Sequence, residues 1–333
     1  MSALPLQILG TGRYLPRQVL LSDELDARWG RSPGSTWRQV GVHQRHVAAS
    51  DESSSFMAAR AAEQALAVAG LRGDELDAIV SACAVMEQAI PCLGAQVQRA
   101  MGLGASGIPA FDVNATCLSF LVALDLVAGM LACGRWRRVL IVSSELPSAG
   151  LNPADSNTAA LFGDGAAAAV VGLAPAGNGS ALLASHMVTY GEGNEHCQIR
   201  GGGTRLHAQP EVADWRRASW FEMDGRATYR LAARHFPAFL DTLLKRAGVH
   251  MADLACIVPH QASGKALDHL SRALGLPAGR LVRTLPEVGN QVAASLPNAL
   301  HQAILDGRVR RGDTLALLGT GAGLSIGGLV LTY

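Results

Sequence analysis

The sequence predicts an α/β protein in which one supersecondary unit occurs twice. Apolar runs of strand length alternate with longer segments of helical periodicity, the pattern of sheets with covering helices. Two residue groups also recur half a chain apart: residues 99–103 return at 272–276 and residues 134–138 return at 307–311, a shift of 173 in each case. A shift near half of the chain indicates two copies of one unit and excludes a short-period solenoid.

The first copy is predicted to hold a sheet that is covered on both faces. Its apolar runs lack the alternation of polar and apolar residues that a half-exposed strand shows. Gly70 is the expected stop of its first helix. We expect strands at residues 6–9, 78–84, 108–113, 139–143 and 166–173, with helices at residues 55–70 and 118–133.

The second copy repeats this order. We expect helices at residues 229–247, 264–274 and 294–305, with strands at residues 256–259, 314–318 and 327–332. Residues 178–226 are rich in Gly and His and are expected to be irregular, joining the two copies. We therefore divide the chain into an N-terminal half, residues 1–175, and a C-terminal half, residues 176–333.

Composition limits the classes of function. Of the 333 residues, 49% are apolar and 17% are charged, which provides for a large core and is unlike a disordered chain. A net charge of +1 argues against general binding to nucleic acid or to a membrane surface. The sequence has no signal-peptide pattern and no apolar run of about eighteen residues, so we expect a cytoplasmic protein without a membrane span.

The cysteines and histidines do not predict a metal site. The six cysteines include no CxxC pair, and reduced thiols are the expectation. Glu195, His196 and Cys197 lie side by side, but no second cluster has the spacing of metal ligands. We therefore expect no bound metal.

Cys117 lies in the turn between the predicted strand 108–113 and the predicted helix 118–133. Free N–H groups and the positive end of a helix dipole favour a thiolate at such a turn. A buried structural thiol is the alternative. The repeat favours the first interpretation, because the 173-residue shift pairs Cys117 with Asn290 in the polar turn 289–291 of the second copy.

His260 directly follows the predicted strand 256–259 and precedes a predicted helix. Parallel sheets bind ligands at the carboxyl ends of their strands. A core histidine satisfied by backbone groups is the alternative. Together with Cys117 and Asn290, His260 would supply a nucleophile, a base and a polar donor from three strand-to-helix turns.

A glycine-rich loop, residues 319–323, follows the predicted strand 314–318. A phosphate-binding loop is one interpretation, but the loop does not open a helix within a βαβ unit. We favour a close approach of backbone N–H groups to a reacting carbonyl. Residues 162–166 are predicted to form a tight turn whose Asp164 is structural.

These motifs resemble those of the β-ketoacyl-acyl-carrier-protein synthase III condensing enzymes of the thiolase superfamily. The resemblance covers nearly the whole chain and implies the thiolase fold, in which duplicated βαβαβαββ halves form an α-β-α-β-α layered sandwich. It also implies a homodimer. The matching segments are residues 8–16, 111–117, 162–165, 259–262, 289–295 and 317–324.

The resemblance implies roles for individual residues. Cys117, His260 and Asn290 match the catalytic trio, and the amides of Cys117 and Ala322 match the oxyanion hole. Arg230 and Lys265 match positions where basic residues meet an acyl carrier protein. The residues that match substrate-binding positions are Trp37, Ile90, Met223, Gly225, Tyr229 and Ser263.

Three departures from the family pattern concern the substrate and the branch. Gln39 and Ser156 stand where the family's initiating enzymes carry the arginines that bind coenzyme A, which favours a carrier-protein donor. Ile90 stands where an aromatic side chain limits acyl length, which indicates a medium or branched acyl group. The glycine loop lacks the second catalytic cysteine of degradative thiolases.

The implied reaction is a two-stage acyl transfer. Cys117 takes an acyl group from a coenzyme A or acyl-carrier-protein thioester, and a malonyl thioester then loses carbon dioxide and attacks that group to give a 3-oxoacyl product. No cofactor is implied beyond these substrates. Acyl transfer to a hydroxyl or amine and head-to-head condensation of two long acyl chains stay open as alternatives. A non-catalytic partner subunit is a third, against which the intact trio argues.

Overall fold

The structure is a computed structural model that describes residues 3–206 and 215–333. The strands are β1 (Gln7–Tyr14), β2 (Gln18–Leu21), β3 (Gln44–Val47), β4 (Ala78–Ser81), β5 (Ala110–Asp112), β6 (Arg138–Glu145), β7 (Gly165–Gly172), β8 (Ala181–Thr189), β9 (Cys197–Ile199), β10 (Phe221–Met223), β11 (Cys256–Pro259), β12 (Thr314–Gly321) and β13 (Ser325–Thr332). The α-helices are α1 (Ser22–Arg28), α2 (Ser35–Val40), α3 (Ser54–Ala69), α4 (Leu93–Ala100), α5 (Ser119–Ala132), α6 (Trp215–Ala218), α7 (Gly225–Ala247), α8 (Gly264–Ala273), α9 (Leu285–Val288) and α10 (Ser295–Leu305).

Two mixed sheets have the same strand order. The first sheet runs β1-β7-β6-β4-β5, and the second runs β8-β13-β12-β11. The first three strands of each order pair antiparallel: β1, β7 and β6 in the first sheet, and β8, β13 and β12 in the second. The next pair in each sheet is parallel: β6 with β4, and β12 with β11. A parallel bridge between Ile257 and Leu281 stands where the first sheet has β5. The predicted duplication is therefore present in the sheet topology.

Each helix and strand predicted from the sequence is present, with its ends moved by a few residues. The prediction that residues 178–226 are irregular is wrong. Residues 181–189 form β8, which pairs with β13 and is the second-copy counterpart of β1. Alternate residues in its first half are buried, the pattern of an edge strand covered on one face, whereas we expected continuous apolar runs. Residues 207–214 of this segment lie outside the described residues.

Five layers result from the packing of helices on these sheets. Helix α5 packs on β6, β8 and β13, and helix α10 packs on β1, β7 and β11, so both helices lie between the two sheets. Helices α3 and α4 cover the outer face of the first sheet, and α7 covers that of the second. The central apolar cluster joins residues of both sheets with both central helices. This layer holds the strand ends of both copies in fixed relation.

Candidate active site

The turn before α5 holds Cys117 in a fixed conformation. The side-chain oxygen of Asn114 accepts the Thr116 N–H at 2.9 Å, and Ser119 Oγ accepts the Ala115 N–H at 2.9 Å. Ser119 also donates to the Thr116 carbonyl at 2.6 Å. These bonds sustain a left-handed conformation at Thr116, with φ of 52°, that a non-glycine residue rarely adopts. The next residue, Cys117, is thereby set at the head of α5.

Cys117 is half-buried at the edge of an apolar cluster, and two backbone N–H groups face its thiol. They are the amide of Cys117 itself and that of Ala322 in the glycine loop. Burial nevertheless raises the pKa of the thiol to about 12, with Glu145 and Cys197 adding to the rise. The expectation that the helix start makes Cys117 a resting thiolate is therefore wrong, because loss of solvent outweighs the two donors.

His260 follows β11, and its N–H donates to the Leu318 carbonyl of β12 at 2.7 Å. The residue is 6% exposed, and its Nδ1 is buried with no hydrogen-bond partner among the described residues. Burial lowers the pKa of the imidazole to about 4, so the ring is neutral near pH 7. A neutral imidazole can accept a proton from a thiol of high pKa.

Asn290 is held at the junction of the two copies. Its N–H donates to the Leu161 carbonyl at 2.9 Å, and its own carbonyl accepts the Gly163 N–H at 3.1 Å. Its side-chain oxygen accepts the Val292 N–H at 2.9 Å. The side-chain amide reaches the carbonyl of Ala262, two residues after His260, at 3.4 Å. The structure therefore fixes the orientation of this amide group beside the turn that carries His260.

The glycine loop closes the site from the second sheet. A Cβ at Gly319 would lie 2.9 Å from the Leu118 side chain and 3.1 Å from Cβ of His260, and one at Gly321 would lie 2.6 Å from Thr116 Oγ1. Glycine at both positions permits β12 to contact the Cys117 turn. This contact brings the Ala322 amide to the thiol. The glycine loop thus contacts both the turn of Cys117 and His260, and Asn290 lies on the turn that reaches Ala262.

Comparison with known proteins identifies the family. Models of the 3-oxoacyl-[acyl-carrier-protein] synthase III and of its C-terminal region match residues 111–191 and 244–333. An acetoacetyl-CoA synthase of Streptomyces sp. (strain CL190) is 37% identical over 98% of both chains. A β-ketoacyl-[acyl-carrier-protein] synthase III of Symbiobacterium thermophilum is 34% identical over 100% of this chain and 99% of its own. The chain belongs to the synthase III family.

A solved structure confirms the fold of this family member. The 3-oxoacyl-(acyl carrier protein) synthase III of Pseudomonas aeruginosa PAO1 superimposes with a TM-score of 0.87 and 34% identity, covering 100% of this chain and 98% of its own. The predicted thiolase fold is thus confirmed. Enzymes of this family are acyltransferases that condense acyl thioesters, as the sequence predicted.

Trp37 and Lys265 line one groove between α2 and α8. Its volume is about 290 Å³. The Trp37 ring stacks on His43 at 3.6 Å between centroids, which holds it upright at the rim. Two glycines bring the helices together, since a Cβ at Gly41 would lie 2.9 Å from Cα of Gly264. The other lining residues are Arg38, Gln39, Leu267, Asp268, Arg283, Leu285 and Pro286.

Arg31 places a guanidinium group beside this groove, which sequence reasoning missed. Its Nη1 donates to Gln39 Oε1 at 2.8 Å, and its Nη2 donates to Ser156 Oγ at 2.5 Å. Gln39 and Ser156 are the two positions at which this chain departs from the family's arginines. One arginine, eight residues before Gln39 and 125 before Ser156, therefore binds both side chains. No local motif signals this contact.

The other predicted substrate-binding residues lie on three elements. Met223 ends β10, Gly225 begins α7, and the Tyr229 ring packs edge-on against His269 of α8 at 5.3 Å. Ser263 is the N-cap of α8, and its hydroxyl accepts the Ala266 N–H. Ile90 stands apart on the loop before α4 and is 85% exposed.

The two basic residues predicted to bind a carrier protein line different hollows. Lys265 belongs to the Trp37 groove. Arg230 lines a second cavity of about 260 Å³ on the α7 side, with Glu192, His196 and Arg234. In the described part of the chain, no three His, Cys, Asp or Glu side chains are grouped to hold a metal ion. Nor does any helix in that part combine the length and apolarity that crossing a bilayer requires.

Glu145, the last residue of β6, was also missed. It is completely buried, and its carboxyl oxygens accept the N–H groups of Ala84 at 2.6 Å and Val85 at 3.1 Å. The signal in the sequence was a lone acidic residue directly after the apolar run 139–143. A buried acid at a strand end is rare without a partner or a function.

Proposed function

We propose that the chain catalyses a decarboxylative condensation in which Cys117 carries the acyl group. The observation that carries this proposal is the pair of N–H groups, from Cys117 and Ala322, that face the Cys117 thiol, with the neutral His260 in contact with the same glycine loop. Two fixed donors at one point suit the oxyanion that forms when a thiol attacks a thioester. Relatives named as synthases of 3-oxoacyl and acetoacetyl thioesters support the same reaction class.

In the first stage, the Cys117 thiol attacks the carbonyl carbon of an acyl thioester. His260 takes the thiol proton, because its unprotonated imidazole is available near pH 7. The two amides stabilise the tetrahedral oxyanion. The C–S bond to the donor then breaks, and the departing thiolate takes the proton. Acyl-Cys117 and a free thiol are the products.

In the second stage, a malonyl thioester loses carbon dioxide. The electron pair of the broken C–C bond forms an enolate, whose oxygen accepts hydrogen bonds from His260 and from the Asn290 side-chain amide. Both groups are buried, and backbone contacts hold the Asn290 amide, so this amide needs no reorganisation as the charge develops. The enolate carbon attacks acyl-Cys117, the thiolate of Cys117 leaves, and a 3-oxoacyl thioester forms.

The thioester substrates are proposed to enter along the Trp37 groove, with no further cofactor. Arg283 pairs with Asp268 at 2.7 Å, and Arg38 and Lys265 leave the groove a net positive charge, which suits the phosphates of coenzyme A or of a carrier protein's pantetheine arm. Arg31 adds a guanidinium at the Gln39 and Ser156 positions. We therefore propose that the groove accepts coenzyme A thioesters as well as carrier-bound ones, with Lys265 and Arg230 on the docking side of a carrier.

A homodimer is proposed to complete the acyl site. β5 forms the outer edge of the first sheet, and Phe111 on this strand is 37% exposed. Ile90, on the loop that precedes α4, is exposed as well. Pairing of two such edges would cover these apolar side chains. We further propose a cytoplasmic location and a boundary between the two halves at residues 175 and 176.

Mass spectrometry of acyl-Cys117 and release of labelled carbon dioxide test this proposal. Wild-type protein should form acyl-Cys117 from an acyl thioester and then release carbon dioxide from a malonyl thioester. Cys117→Ser should do neither with an acyl donor. Acylation without carbon dioxide release, with transfer to a hydroxyl, an amine or a second acyl chain, would contradict the decarboxylating step.

A further inference from the structure

Glu145 is a buried acid that the proposed mechanism does not use. It ends β6 and has no exposed surface. None of the ion pairs found in residues 3–206 and 215–333 includes it. Two backbone N–H groups, those of Ala84 and Val85, donate to it instead, and the N–H of Ala293 faces it. Burial of a carboxyl group in such a place costs free energy of folding unless hydrogen bonds or an opposite charge compensate for the lost solvent.

These hydrogen bonds connect the turn of Cys117 with the turn of Asn290. On one side, Glu145 binds the Ala84 N–H, and the carbonyl of Ala84 accepts the Asn114 side-chain amide at 3.3 Å. Asn114 in turn fixes Thr116, next to Cys117. On the other side, β6 contacts residues 292–294, and the N–H of Ala293 faces the Glu145 carboxyl and lowers its pKa.

Ala293 belongs to the turn that Asn290 organises. It follows Val292, whose N–H donates to the Asn290 side chain. A single carboxyl group therefore spans the nucleophile's turn and the turn of the decarboxylating amide. Loss of its acceptor oxygens would release both turns at once.

The duplication explains why this place can hold a side chain. β6 and β12 are equivalent strands, and Glu145 ends one where Gly321 ends the other. Gly321 leaves room at the Cys117 turn, whereas Glu145 fills the corresponding room at the Ala293 turn. The Cys117 amide faces the reacting group in one copy, and the Ala293 amide faces the Glu145 carboxyl in the other.

The ionisation of Glu145 affects the nucleophile. Burial raises the pKa of the Glu145 carboxyl to about 8, against the opposing effect of the three N–H groups that face it. An ionised Glu145 raises the pKa of both thiols that face it, Cys117 and Cys83. The other charged influences on these thiols are Cys197 on Cys117 and Asp112 on Cys83. The pKa of the Cys117 thiol is therefore lower when Glu145 is protonated than when it is a carboxylate.

We propose that Glu145 is a positioning residue that joins the Cys117 and Asn290 turns and must keep its proton for Cys117 to react at full rate. The proposal rests on the proposed function only in that Cys117 is the nucleophile. No proton passes between Glu145 and the substrate. Its effect is on the geometry and the charge around the thiol.

The pH dependence of iodoacetamide alkylation of Cys117 tests this role, with the modified peptide quantified by mass spectrometry. The alkylation rate follows the thiolate, so it should rise tenfold per pH unit below the thiol pKa. In wild-type protein we expect this rise to weaken around pH 8, where Glu145 ionises. In Glu145→Gln it should continue unbroken, giving rates about equal to wild type at pH 6.5 and about tenfold higher at pH 9.5, the effect of one pKa unit.

Two variants and one spectroscopic measurement control this experiment. Glu63→Gln removes an exposed carboxylate of α3 and should leave the wild-type profile unchanged. Glu145→Asp keeps an ionisable group and should keep a break in the profile. If Glu145→Gln does not fold, infrared difference spectra of wild-type protein should still show a protonated carboxyl that titrates above pH 7.

Each outcome decides between the proposals. The same break in wild type and in Glu145→Gln, or no break in wild type and no carboxyl titrating above pH 7, would overturn the role of Glu145. Alkylation needs no acyl substrate, so these results are independent of condensation. A normal break together with failure to form acyl-Cys117 would overturn the proposed function instead.

Discussion

Asn114 and Asn290 occupy the same position in the two copies of the fold. Each side-chain oxygen accepts the N–H of the second following residue at 2.9 Å, and that residue has a positive φ: 52° at Thr116 and 49° at Val292. The residue directly after each asparagine also donates its N–H to a serine five positions after that asparagine. These bonds run from Ala115 to Ser119 and from Gln291 to Ser295. The turns are therefore 176 residues apart, not 173.

This relationship corrects the pairing of Cys117 with Asn290. Cys117 is three residues beyond Asn114, and its counterpart is Ala293, three residues beyond Asn290. The two equivalent turns thus contribute different groups. The first turn contributes the thiol of Cys117, its fourth residue, and the second contributes the side-chain amide of Asn290, its first residue. Asn114 holds the conformation of its turn, as Asn290 does, but supplies no amide to the reaction.

Substitution of the two asparagines should affect different stages of the reaction. Asn114→Ala should lower the rate of Cys117 acylation at least tenfold, because the Thr116 N–H loses its acceptor and the turn before the nucleophile loosens, at a cost of about 1 kcal/mol in stability. Asn290→Ala should still form acyl-Cys117 but lose carbon dioxide release. Quenched-flow acylation and carbon dioxide assays check both. Asn178→Ala, which removes a similar bond to Ser180 on a surface turn, is the matched control. Equal effects of Asn114→Ala and Asn178→Ala on acylation would argue against the assignment.

The glycine loop should not tolerate even a methyl group. Gly319→Ala and Gly321→Ala should each reduce acylation by two orders of magnitude or more, because the new Cβ would displace the loop from Leu118 and Thr116 and move the Ala322 amide. Gly129→Ala in α5 has open space and should stabilise the helix by about 1 kcal/mol without loss of activity. Acylation rates and thermal unfolding measured on the three variants check this. Full activity of Gly321→Ala would remove the argument for the oxyanion hole.

His260 should set an unusually acidic limit to acylation. Its pKa of about 4 keeps the imidazole neutral and able to accept the thiol proton down to nearly that pH. The rate of acylation, measured in single turnovers at constant ionic strength, should show no loss between pH 7 and pH 5 that is due to His260. An acidic limb centred near pH 6.5, the value of an exposed imidazole, is the contrary result.

The buried His260 and Glu145 should give the stability of the protein opposite dependences on pH. The pKa of His260 is lower in the folded protein than in the unfolded chain, so its contribution is present above about pH 6.5 and is lost as the pH falls toward 4. The pKa of Glu145 is higher in the folded protein, so its contribution is present at acidic pH and is lost as the pH rises toward 8. Urea unfolding of Glu145→Gln from pH 6 to pH 9 should show a flatter alkaline side than wild type. A parallel decline would show that Glu145 does not cause it.

Arg31 should matter for coenzyme A thioesters in particular. Arg31→Ala removes the guanidinium that binds Gln39 and Ser156, and the KM for an acyl-coenzyme A donor should rise about tenfold with kcat nearly unchanged. Initial rates with matched coenzyme A and carrier-protein donors check this. Arg28→Ala, an exposed arginine of α1 paired with Glu24, serves as the control. An unchanged KM for the coenzyme A donor would indicate that the groove does not bind its nucleotide end.

Much of this molecule could be predicted from its sequence because the signals were local. Continuous apolar runs gave the central strands, and the 173-residue shift revealed the duplication. β8 was missed because its edge position gives it mixed polarity, and the short antiparallel strands β2 and β3 show no strong periodicity. Arg31 and Glu145 were missed because Ser156 lies 125 residues from Arg31 and Ala84 lies 61 residues from Glu145, and no local motif indicates such contacts.

The most direct test of the central claim is a single-turnover experiment on isolated acyl-Cys117 protein mixed with a carboxyl-labelled malonyl thioester. Decarboxylative condensation on Cys117 predicts that wild-type protein loses its acyl group and releases carbon dioxide at the same rate, with one 3-oxoacyl product per acyl group. It also predicts that acylated Asn290→Ala retains its acyl group and releases no carbon dioxide. Loss of the acyl group from wild-type protein without matching carbon dioxide would contradict it.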